Sequence, residues 1–443
     1  MARKRRHKPQ FQTYRAVIDD LAHDGRGVAR MDGKTVFVQG ALPGEDVTFT
    51  TYRHKRRFNE AVVDEVHQAS PERIEPKCDA FGVCGGCVLQ HLDEARQRVF
   101  KRAHLAHDLA RIGGVKPTRW LDDLTAAPWH YRRRGRLGVN VEPKQGRVKV
   151  GFRERRTPHI ADMQRCEILA KPVGDLIDKL STMIGELSIR RRVPQIELAV
   201  GDGATALVFR ILAPLSTDDR ARLRHFADAH NVDVYVQPGG ADSVTPLTEA
   251  RVLDYTLTHY DVSVAFEPMD FIQINGPLNA AMIRHVLEHT ALRPGDRVLD
   301  LYCGLGNFSL PLARCVEQVV GVEGDSHLVR RAQENAARNS IDNATFYVAN
   351  LFEPEPQWPW LQQNYDVIVI DPPRAGTIEM LPLIATLKPR VIAYVSCHPA
   401  TLARDAGELA KFGYTLGKAG IMDMFPQTGH VESVAIFDAP GYA

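Results

Sequence analysis

The sequence predicts an α/β protein with a Rossmann-like, doubly wound parallel sheet at its carboxyl-terminal end, preceded by a small β-barrel and a mixed α+β region. Three observations predict this order. Short strand patterns with glycine-rich turns fill residues 11–67, mixed patterns around a cysteine cluster reach residue 260, and strand–helix alternation follows. Alternation of this kind is typical of parallel sheets, and short strands between glycine turns are typical of barrels. We therefore expect three domains, over residues 1–67, 68–260 and 261–443.

The predicted barrel consists of short apolar segments separated by turns. The segments are YRAVIDDLA, VARMDG, KTVFVQGAL, PGEDVTFTTY and EAVVDEVH, with glycines at positions 25, 27, 33, 40 and 44. The order DGRGVAR…GKTVFVQGALPGE resembles the TRAM domain, an OB-like barrel found on RNA-modifying enzymes. The resemblance implies an RNA-binding module, and a small barrel without a ligand is the alternative.

The middle region opens with CDAFGVCGGC and continues with a helical pattern over residues 92–112 that leads to a glycine pair. We expect this helix to pack on the third domain. Strand patterns such as GRLGVNVE and IELAVGDGATALVFRIL follow it. They predict a mixed α+β domain built around the cysteines.

Composition excludes several classes of protein. The chain has 443 residues, 44% of them hydrophobic, which is enough for several packed cores. It contains no apolar run of the roughly 18 residues that a membrane span needs. The start, MARKRRHKPQ, has no apolar stretch, so we expect no signal peptide and a cytoplasmic protein. Seven cysteines in such a chain indicate metal or catalytic roles rather than disulfides.

Positive charge is concentrated in the first part of the chain. The net charge is only +2, yet residues 1–167 hold 33 Lys+Arg against 21 Asp+Glu, and the remainder holds 23 against 33. The basic runs are RKRR (Arg3–Arg6), RHKRR (Arg53–Arg57), RRRGR (Arg132–Arg136) and RERR (Arg153–Arg156). Four runs in one half predict contacts with nucleic-acid phosphates, whereas solvated surface is the alternative for any single run.

The strongest local motif is RVLDLYCGLGNFSLPLA, an apolar strand followed by Gly304 and Gly306 and by a helix expected to open at Asn307. Glycines at this point let the backbone approach a ligand at the carboxyl end of the first strand. A dinucleotide fingerprint would need a third glycine where Ser309 stands. The sequence therefore predicts a nucleotide-type crevice of another kind.

Polar residues occur where the next four strands are expected to end. They are Glu323, Asn350, Asp371 and Cys397. Because ligands of open α/β sheets bind beyond the carboxyl ends of the strands, these positions predict one crevice, in which Glu323 can accept both hydroxyls of a ribose. The arrangement resembles the class I methyltransferases, which bind S-adenosylmethionine.

The atom that receives the methyl group is not settled by these motifs. DPPR, residues 371–374, also resembles the DPPY loop of amino-group methyltransferases. Cys397 in SCHPATLARD is a candidate nucleophile, with a buried structural cysteine as the alternative. Methylation of uracil C5 needs a thiolate that adds to C6 and a base that removes the C5 proton. TGHVESVAIF offers Glu432 and His430 as the base, and spacing does not choose between them.

The cysteine segment predicts a metal centre. Cys78, Cys84 and Cys87 are separated by five and two residues, and Cys166 is the next cysteine. Zinc sites more often show paired CxxC knuckles or regularly spaced histidines. Three clustered cysteines and one remote cysteine favour a cubane iron–sulfur site, and zinc is the alternative.

Together FIQIN, DLYCGLGNFSL, DPPRAG, VSCHPATLARD and GHVES resemble the RNA uracil-C5 methyltransferase family, and with the barrel and cysteines the resemblance covers nearly the whole chain. It is greatest to bacterial members that act on uridine 1939 of 23S rRNA. The resemblance implies Cys397 as nucleophile, Glu432 as base, and a 4Fe-4S cluster on the four cysteines named above. The implied cofactor-binding residues are Gln273, Tyr302, Gly304, Gly306, Asn307, Glu323, Asn350 and Asp371.

Two positions depart from the family pattern. Tyr302 stands where such enzymes often have Phe, and Asn350 replaces a frequent Asp. Both side chains keep the stacking or hydrogen-bonding capacity of the usual residue. Phe271 fits the cofactor-side loop together with Gln273, and an apolar core position is the alternative for Phe271.

Other functions stay open at this stage. The same chemistry could act on another rRNA or tRNA uridine. A radical RNA methylthiotransferase is an alternative because TRAM-like barrels occur there too, but Cys166 as fourth ligand would leave no iron open to S-adenosylmethionine. A non-catalytic rRNA-binding chaperone is the third alternative. The expected partner is 23S rRNA, with no membrane and no protein partner implied, so a monomer is expected.

Overall fold

The protein is described by a computed structural model, which covers residues 11–143 and 146–441. The basic run Arg3–Arg6 therefore lies outside the described residues. The chain forms two compact units. The first comprises the described residues up to Lys101 with Arg153–Pro158 and Pro426–His430, and the second comprises Arg102–Phe152, His159–Phe425 and the described residues from Val431 onward. Every helix within the described ranges is too short or too polar to cross a bilayer.

The first unit contains a six-stranded sheet. Its strands are β1 (Gln12–Val17), β2 (Asp20–Leu21), β3 (Gly27–Met31), β4 (Lys34–Gln39), β5 (Asp46–His54) and β6 (Phe58–Gln68). They lie in the order β1-β5-β6-β4-β3-β2, and only β4 and β6 pair in parallel. Residues that alternate along the strands, among them Val36, Val38, Val47 and Phe49, form a core of their own. These strands occupy the segments that the sequence predicts.

A helix follows the cysteine segment. α1 (Glu94–Asp108) continues as a π-helical turn, Leu109–Gly113, and ends at Gly114, whose φ of 64° is left-handed. Glycine tolerates this conformation, so it terminates the helix. Leu105 and Leu109 belong to the main core of the second unit.

The second unit contains a central mixed sheet and a hairpin. After β7 (Arg119–Trp120), the mixed sheet comprises β8 (Arg134–Val141), β9 (Val148–Gly151), β10 (Gln195–Val200), β11 (Thr205–Arg210), β12 (Asp233–Gln237) and β13 (Thr245–Pro246), in the order β13-β12-β11-β10-β8-β9. Its helices are α2 (Ile177–Gly185) and α3 (Thr217–His230). A capping box of Ser216 and Asp219 fixes the start of α3. The hairpin pairs β14 (Leu253–Leu257) with β15 (Val262–Phe266).

The largest sheet has eight strands. In addition to β7 it comprises β16 (Arg297–Leu301), β17 (Gln318–Glu323), β18 (Ala344–Val348), β19 (Val367–Ile370), β20 (Val391–Ser396), β21 (Thr415–Met422) and β22 (Glu432–Asp438). Their order is β18-β17-β16-β19-β20-β22-β21-β7, with β22 antiparallel to both neighbours. Its helices are α4 (Gly276–His289), α5 (Ser309–Ala313), α6 (Ser326–Arg338), α7 (Leu381–Leu387) and α8 (Pro399–Lys411).

The strands at the centre of this sheet are continuous apolar runs because helices cover both faces. All four residues of β19, VIVI, and all six of β20 are buried. The intervening helices carry their own start signals, such as the side chain of Asn275 and a proline in the first turn of α4. The prediction of an α/β fold with a doubly wound sheet and a separate N-terminal β domain is confirmed. The three domain boundaries stay a prediction.

Candidate active site

The strand order of the large sheet creates a crevice at one edge. β17 and β18 lie on one side of β16, and β19 and β20 lie on the other. These five strands are parallel, so their carboxyl ends share one edge. Where strand order reverses in this way, the adjoining loops separate and a ligand can enter between them. The residues predicted at the strand ends all fall at this edge.

The loop after β16 is tightly folded beside open space. Tyr302 has a φ of 64°, which a bulky residue adopts only at a cost of roughly 1–2 kcal/mol. Gly304 has a φ of 53°, and a β-carbon there would meet no atom within 4 Å. Helix α5 begins at Ser309, two residues later than predicted. This turn leaves the room beside the backbone that a bound nucleoside needs.

Glu323 ends β17 and is held by backbone amides. Its Oε2 accepts a hydrogen bond from the N–H of Gly304 at 3.2 Å. Its Oε1 accepts from the N–H groups of Gly324 at 2.7 Å and Asp325 at 3.0 Å. A carboxylate offers about four acceptor positions, so capacity remains for a ribose hydroxyl. The arrangement fits the ribose-binding role that the sequence predicts for Glu323.

Asn307 lies in a network of side-chain hydrogen bonds. It exchanges two bonds with Asn279, each 2.9 Å long, and its Oδ1 also accepts from the Tyr255 hydroxyl at 2.8 Å. Burial raises the pKa of Tyr255, so its hydroxyl stays protonated and able to donate. Sequence reasoning missed both partners of Asn307. Two asparagines four residues apart at the start of α4, Asn275 and Asn279, were a local signal for a polar contact. No local pattern in the sequence indicated Tyr255.

The loop before α4 reaches the end of β19. Gln273 Nε2 donates to Asp371 Oδ2 at 3.4 Å. Burial raises the pKa of Asp371 to about 7, and the bond from Gln273 opposes that shift. Phe271 is 70% exposed, so the alternative that it is a core residue is wrong. Asn350 forms its hydrogen bonds within its own turn: its Nδ2 donates to Glu353 Oε2, and its Oδ1 accepts from the N–H of Phe352, both at 3.2 Å.

Cys397 and Glu432 are brought together by strand register. Ser396, the last residue of β20, pairs with Ser433 of the antiparallel strand β22. Glu432, the first residue of β22, and Cys397, which directly follows β20, adjoin this pair, and both are half-buried. Facing residues of paired strands lie about 5 Å apart at their β-carbons. The candidate nucleophile and the candidate base therefore face one space.

The charges around Cys397 oppose ionisation of its thiol. Burial, with the carboxylates of Glu432 and Asp371, raises its pKa to about 11, and Arg374 acts in the opposite direction. Cys397 also precedes His398, the N-cap residue of α8, and the N-terminus of this helix favours a nearby anion. The Cys397 thiol is therefore half-exposed and lies near charges of both signs. Cys303, the other cysteine at this edge of the sheet, is buried.

The first turns of α8 hold the DPPR loop by its backbone. Thr401 Oγ1 donates to the carbonyl of Arg374, and Arg404 Nη2 donates to that of Ala375, both at 2.9 Å. Asp405, fully buried, accepts from the N–H of Thr377 at 2.9 Å. The residues that follow the nucleophile in sequence therefore position the loop that carries Asp371.

His430 and Glu432 differ in their surroundings. His430 is exposed and belongs to the first unit, whereas Glu432 is half-buried and belongs to the second unit, which also contains Cys397. The Glu432 carboxylate contributes to the raised pKa of the Cys397 thiol, in agreement with a short separation between the two side chains. The structure therefore favours Glu432 over His430 as the base.

Part of the basic surface that the sequence predicts is buried. Arg53–Arg57 is exposed, in agreement with phosphate contacts. Arg133 in the run RRRGR is only 6% exposed, so the prediction that this run contacts phosphates is wrong for that residue. In the run RERR, Arg155 is half-buried and donates to the carbonyl of Cys87.

The first unit places three cysteines on one loop. Gly86 N–H donates to Cys84 Sγ at 3.4 Å, and burial together with the Cys78 thiol raises the pKa of Cys84. The guanidinium of Arg155 lies beside Cys84 and Cys87. No disulfide joins any of the seven cysteines, all of which are in the described ranges. An N–H···S bond and a nearby cation fit thiolates that bind a metal. Cys166, buried, lies in the second unit.

Comparison with known proteins identifies the family. The sequence model of the tRNA (uracil-5-)-methyltransferase family matches residues 124–351 and 360–439, which is more than half of the chain. The chain belongs to this family. The TRAM domain model matches residues 8–51 of the same chain.

Curated relatives of the same family match over nearly full length. The chain is 50% identical over 440 residues to the 23S rRNA (uracil(1939)-C(5))-methyltransferase RlmD of Alkalilimnicola ehrlichii, covering 99% of each chain. It is 49% identical over 442 residues to the protein of the same name from Xanthomonas campestris pv. campestris, again covering 99% of each.

A solved structure of the family has the same fold. The tRNA (uracil-54, C5)-methyltransferase of Pyrococcus abyssi, in complex with S-adenosyl-L-homocysteine, superimposes with a TM-score of 0.74 at 26% identity. The match covers 96% of this chain and all of that one. This family member supports S-adenosylmethionine as the cofactor of the crevice described above.

Proposed function

We propose that the protein transfers a methyl group from S-adenosylmethionine to C5 of uridine 1939 in 23S rRNA. The observation that carries the chemistry is the pairing of Ser396 in β20 with Ser433 in β22, because the chain neighbours of this pair are Cys397 and Glu432 at the cofactor edge of the sheet. The target nucleotide is supported by the names of two relatives that are 50% and 49% identical over 99% of the chain.

The crevice offers each part of the cofactor a partner. Glu323 accepts a hydrogen bond from a ribose hydroxyl, and the open space beside Gly304 admits the nucleoside against the backbone. Asn307, on the same loop as Gly304, and Gln273, on the loop before α4, present side-chain amides that hydrogen bonds hold in place. S-adenosylmethionine supplies the methyl group as an electrophilic sulfonium carbon when bound.

Uracil C5 needs activation before it can attack that carbon. The Cys397 thiolate adds to C6, and the electron pair of the C5–C6 double bond moves onto C5 and its conjugated C4 carbonyl as an enolate. C5 then forms its bond to the methyl carbon as the carbon–sulfur bond of the sulfonium breaks, and that electron pair stays on the sulfur, so the leaving group is S-adenosylhomocysteine.

Release of the product needs a base that reaches the proton on C5. Glu432 removes the C5 proton, the electron pair re-forms the C5–C6 double bond, and the Cys397 sulfur leaves as thiolate. The base must reach the ring that the nucleophile holds, and the facing register of the two residues provides that reach. The target base must first leave its stack in the RNA.

We expect a 23S rRNA fragment that contains uridine 1939 to accept close to one labelled methyl group per molecule, recovered as 5-methyluridine after digestion. The measurement is transfer of tritium from S-adenosylmethionine. The matched control is the same fragment with cytidine at that position, and a tRNA transcript is the second substrate. Label in the tRNA alone, or in the cytidine fragment, would contradict the proposed target.

We also propose that Cys78, Cys84, Cys87 and Cys166 bind a 4Fe-4S cluster with a structural role. The support is the crowding of three thiols on one loop with an N–H···S bond at Cys84 and the thiolate preference of such clusters. Four protein ligands would leave no iron open, which is why we do not propose radical chemistry. The barrel, the cluster and the catalytic site all lie in one chain, and we propose that it acts as a monomer.

The ligand role of Cys166 predicts its iron content. Cys166→Ala is expected to lose most of the iron and acid-labile sulfide that the wild-type protein, purified without oxygen, holds at about four per chain. A radical enzyme's three-cysteine cluster would survive this substitution. Cys315→Ala serves as the control and should keep its iron. Zinc in place of iron, or full iron in Cys166→Ala, would contradict the cluster proposal.

A further inference from the structure

A loop without regular secondary structure, residues 267–275, carries Gln273 and is held by two consecutive arginines. Arg133 donates through its backbone N–H to the carbonyl of Ile274 at 2.8 Å and through Nε to the carbonyl of Gln273 at 3.0 Å. Arg134 donates through Nε to the carbonyl of Asp270 at 3.2 Å and through Nη2 to that of Met269 at 3.0 Å. Four of the nine carbonyls of this loop thus accept from adjacent residues of one strand region.

Arg133 also contacts the network around Asn307. Its guanidinium lies over the ring of Tyr255, 4.5 Å from the centroid. The hydroxyl of Tyr255 donates to Asn307 Oδ1 at 2.8 Å. One buried side chain therefore touches the Gln273 loop directly and Asn307 through a single intermediate.

The burial of Arg133 needs an explanation. In the described part of the chain, no carboxylate lies within ion-pair distance of Arg133, and its Nη2 has no hydrogen-bond partner. Burying a guanidinium without a carboxylate is costly. A hydrophobic residue would fill this position at a lower cost in folding free energy. The role of the cation therefore lies in the carbonyl that its Nε binds and in the Tyr255 ring that its guanidinium covers.

We propose that Arg133 is a positioning residue of the cofactor site. It fixes the Gln273 loop through a hydrogen bond to the Gln273 carbonyl, and it fixes the Asn307 amide through Tyr255. The inference rests on the proposed function for the identity of the cofactor. It assigns to Arg133 a role distinct from RNA binding, although the residue lies in a basic run. Exposed arginines of the chain are left to contact phosphates.

Calorimetric titration with S-adenosylhomocysteine, without RNA, tests this role. Arg133→Met is expected to weaken binding about 10- to 100-fold because it loses the buried charge-assisted hydrogen bond to the Gln273 carbonyl and the cationic contact with the Tyr255 ring. The backbone N–H bond to Ile274 remains in this variant. Tyr255→Phe keeps the ring but not the hydroxyl, and should weaken binding about 3- to 10-fold. Arg191→Gln, at an exposed arginine, is the matched control and should bind like the wild type.

Two further readouts separate positioning from other roles. In Arg133→Met the KM for S-adenosylmethionine should rise while the KM for RNA stays unchanged, whereas partial unfolding would lower kcat alone. The slope of log K for RNA against log salt should also stay unchanged, whereas loss of a phosphate contact would reduce it by about one. A reduced salt slope would show that Arg133 contacts RNA and would overturn the proposal.

Unchanged affinity for S-adenosylhomocysteine in a folded Arg133→Met would equally overturn it. If that variant does not fold, Tyr255→Phe decides, because its packing is conserved, and wild-type affinity there would overturn the link to Asn307. Failure of the wild-type protein to bind S-adenosylhomocysteine would instead refute the proposed function itself. The two failures are therefore distinguishable in one titration series.

Discussion

Cys397→Ala is expected to lower the rate of methyl transfer by about 10⁴-fold or more, since removal of a covalent nucleophile leaves only binding and orientation. It should also abolish the adduct that the wild-type protein forms with 23S rRNA fragments carrying 5-fluorouridine. Fluorine at C5 cannot leave as a proton, so the wild-type reaction stalls with the RNA bound to sulfur. A denaturing gel measures the adduct directly.

The control for Cys397→Ala is Cys315→Ala, which removes a thiol of the same unit outside the crevice edge. This control should keep both the adduct and the activity. S-adenosylhomocysteine should bind Cys397→Ala normally, which shows that the crevice is intact. A persistent adduct in Cys397→Ala would show that another residue is the nucleophile and would make Cys397 a structural residue. The absence of an adduct in the wild-type protein with its cofactor bound would favour amino-group methylation or a chaperone role.

Glu432→Gln is expected to slow turnover by about 10²- to 10⁴-fold, the range for loss of a general base. Addition of sulfur and methyl transfer still occur, so a methylated covalent adduct should accumulate on ordinary uridine. A burst of about one methyl group per enzyme, followed by a slow phase, is the kinetic signature. His430→Ala is the control and should turn over normally. Trapping by His430→Ala instead would exchange the two roles.

The same substitution has a predicted effect on the free thiol. Because the Glu432 carboxylate contributes to raising the pKa of Cys397, its removal lowers that pKa and increases the thiolate fraction at a given pH. The alkylation rate of Cys397 by iodoacetamide should therefore be higher in Glu432→Gln than in the wild type. Below the raised pKa of about 11, both rates should climb roughly tenfold per pH unit. Slower alkylation in Glu432→Gln would contradict the facing arrangement.

The crevice was predictable because it depends on local patterns. An apolar run ends where a polar residue follows, and parallel strands deliver those ends to one edge, so Glu323, Asp371 and Cys397 could be found from sequence. The identity of the base could not. Whether residue 430 or 432 faces Cys397 depends on the first residue of β22 and its register with β20, and sequence patterns do not define boundaries that finely.

Residues that act through tertiary contacts were also out of reach. Arg133 belongs to a basic run, and in sequence nothing separates it from its exposed neighbours. Only the fold shows that its strand passes beside the Gln273 loop, 140 residues away. Tyr255 likewise reaches Asn307 across 52 residues. For Phe271 the sequence left two alternatives, a cofactor-side loop and an apolar core position. Only the structure, which leaves the side chain exposed, excludes the core position.

The bonds from α8 to the DPPR loop have a consequence for engineering. Thr401, Arg404 and Asp405 hold that loop only if α8 starts where it does, at Pro399, two residues after Cys397. A cysteine grafted onto the corresponding strand end of an amino-group methyltransferase would therefore lack a correctly shaped acceptor loop. Transfer of this chemistry to another protein therefore requires residues 371–377 and 397–405 together. Changes in either segment alone would break the hydrogen bonds that join the two.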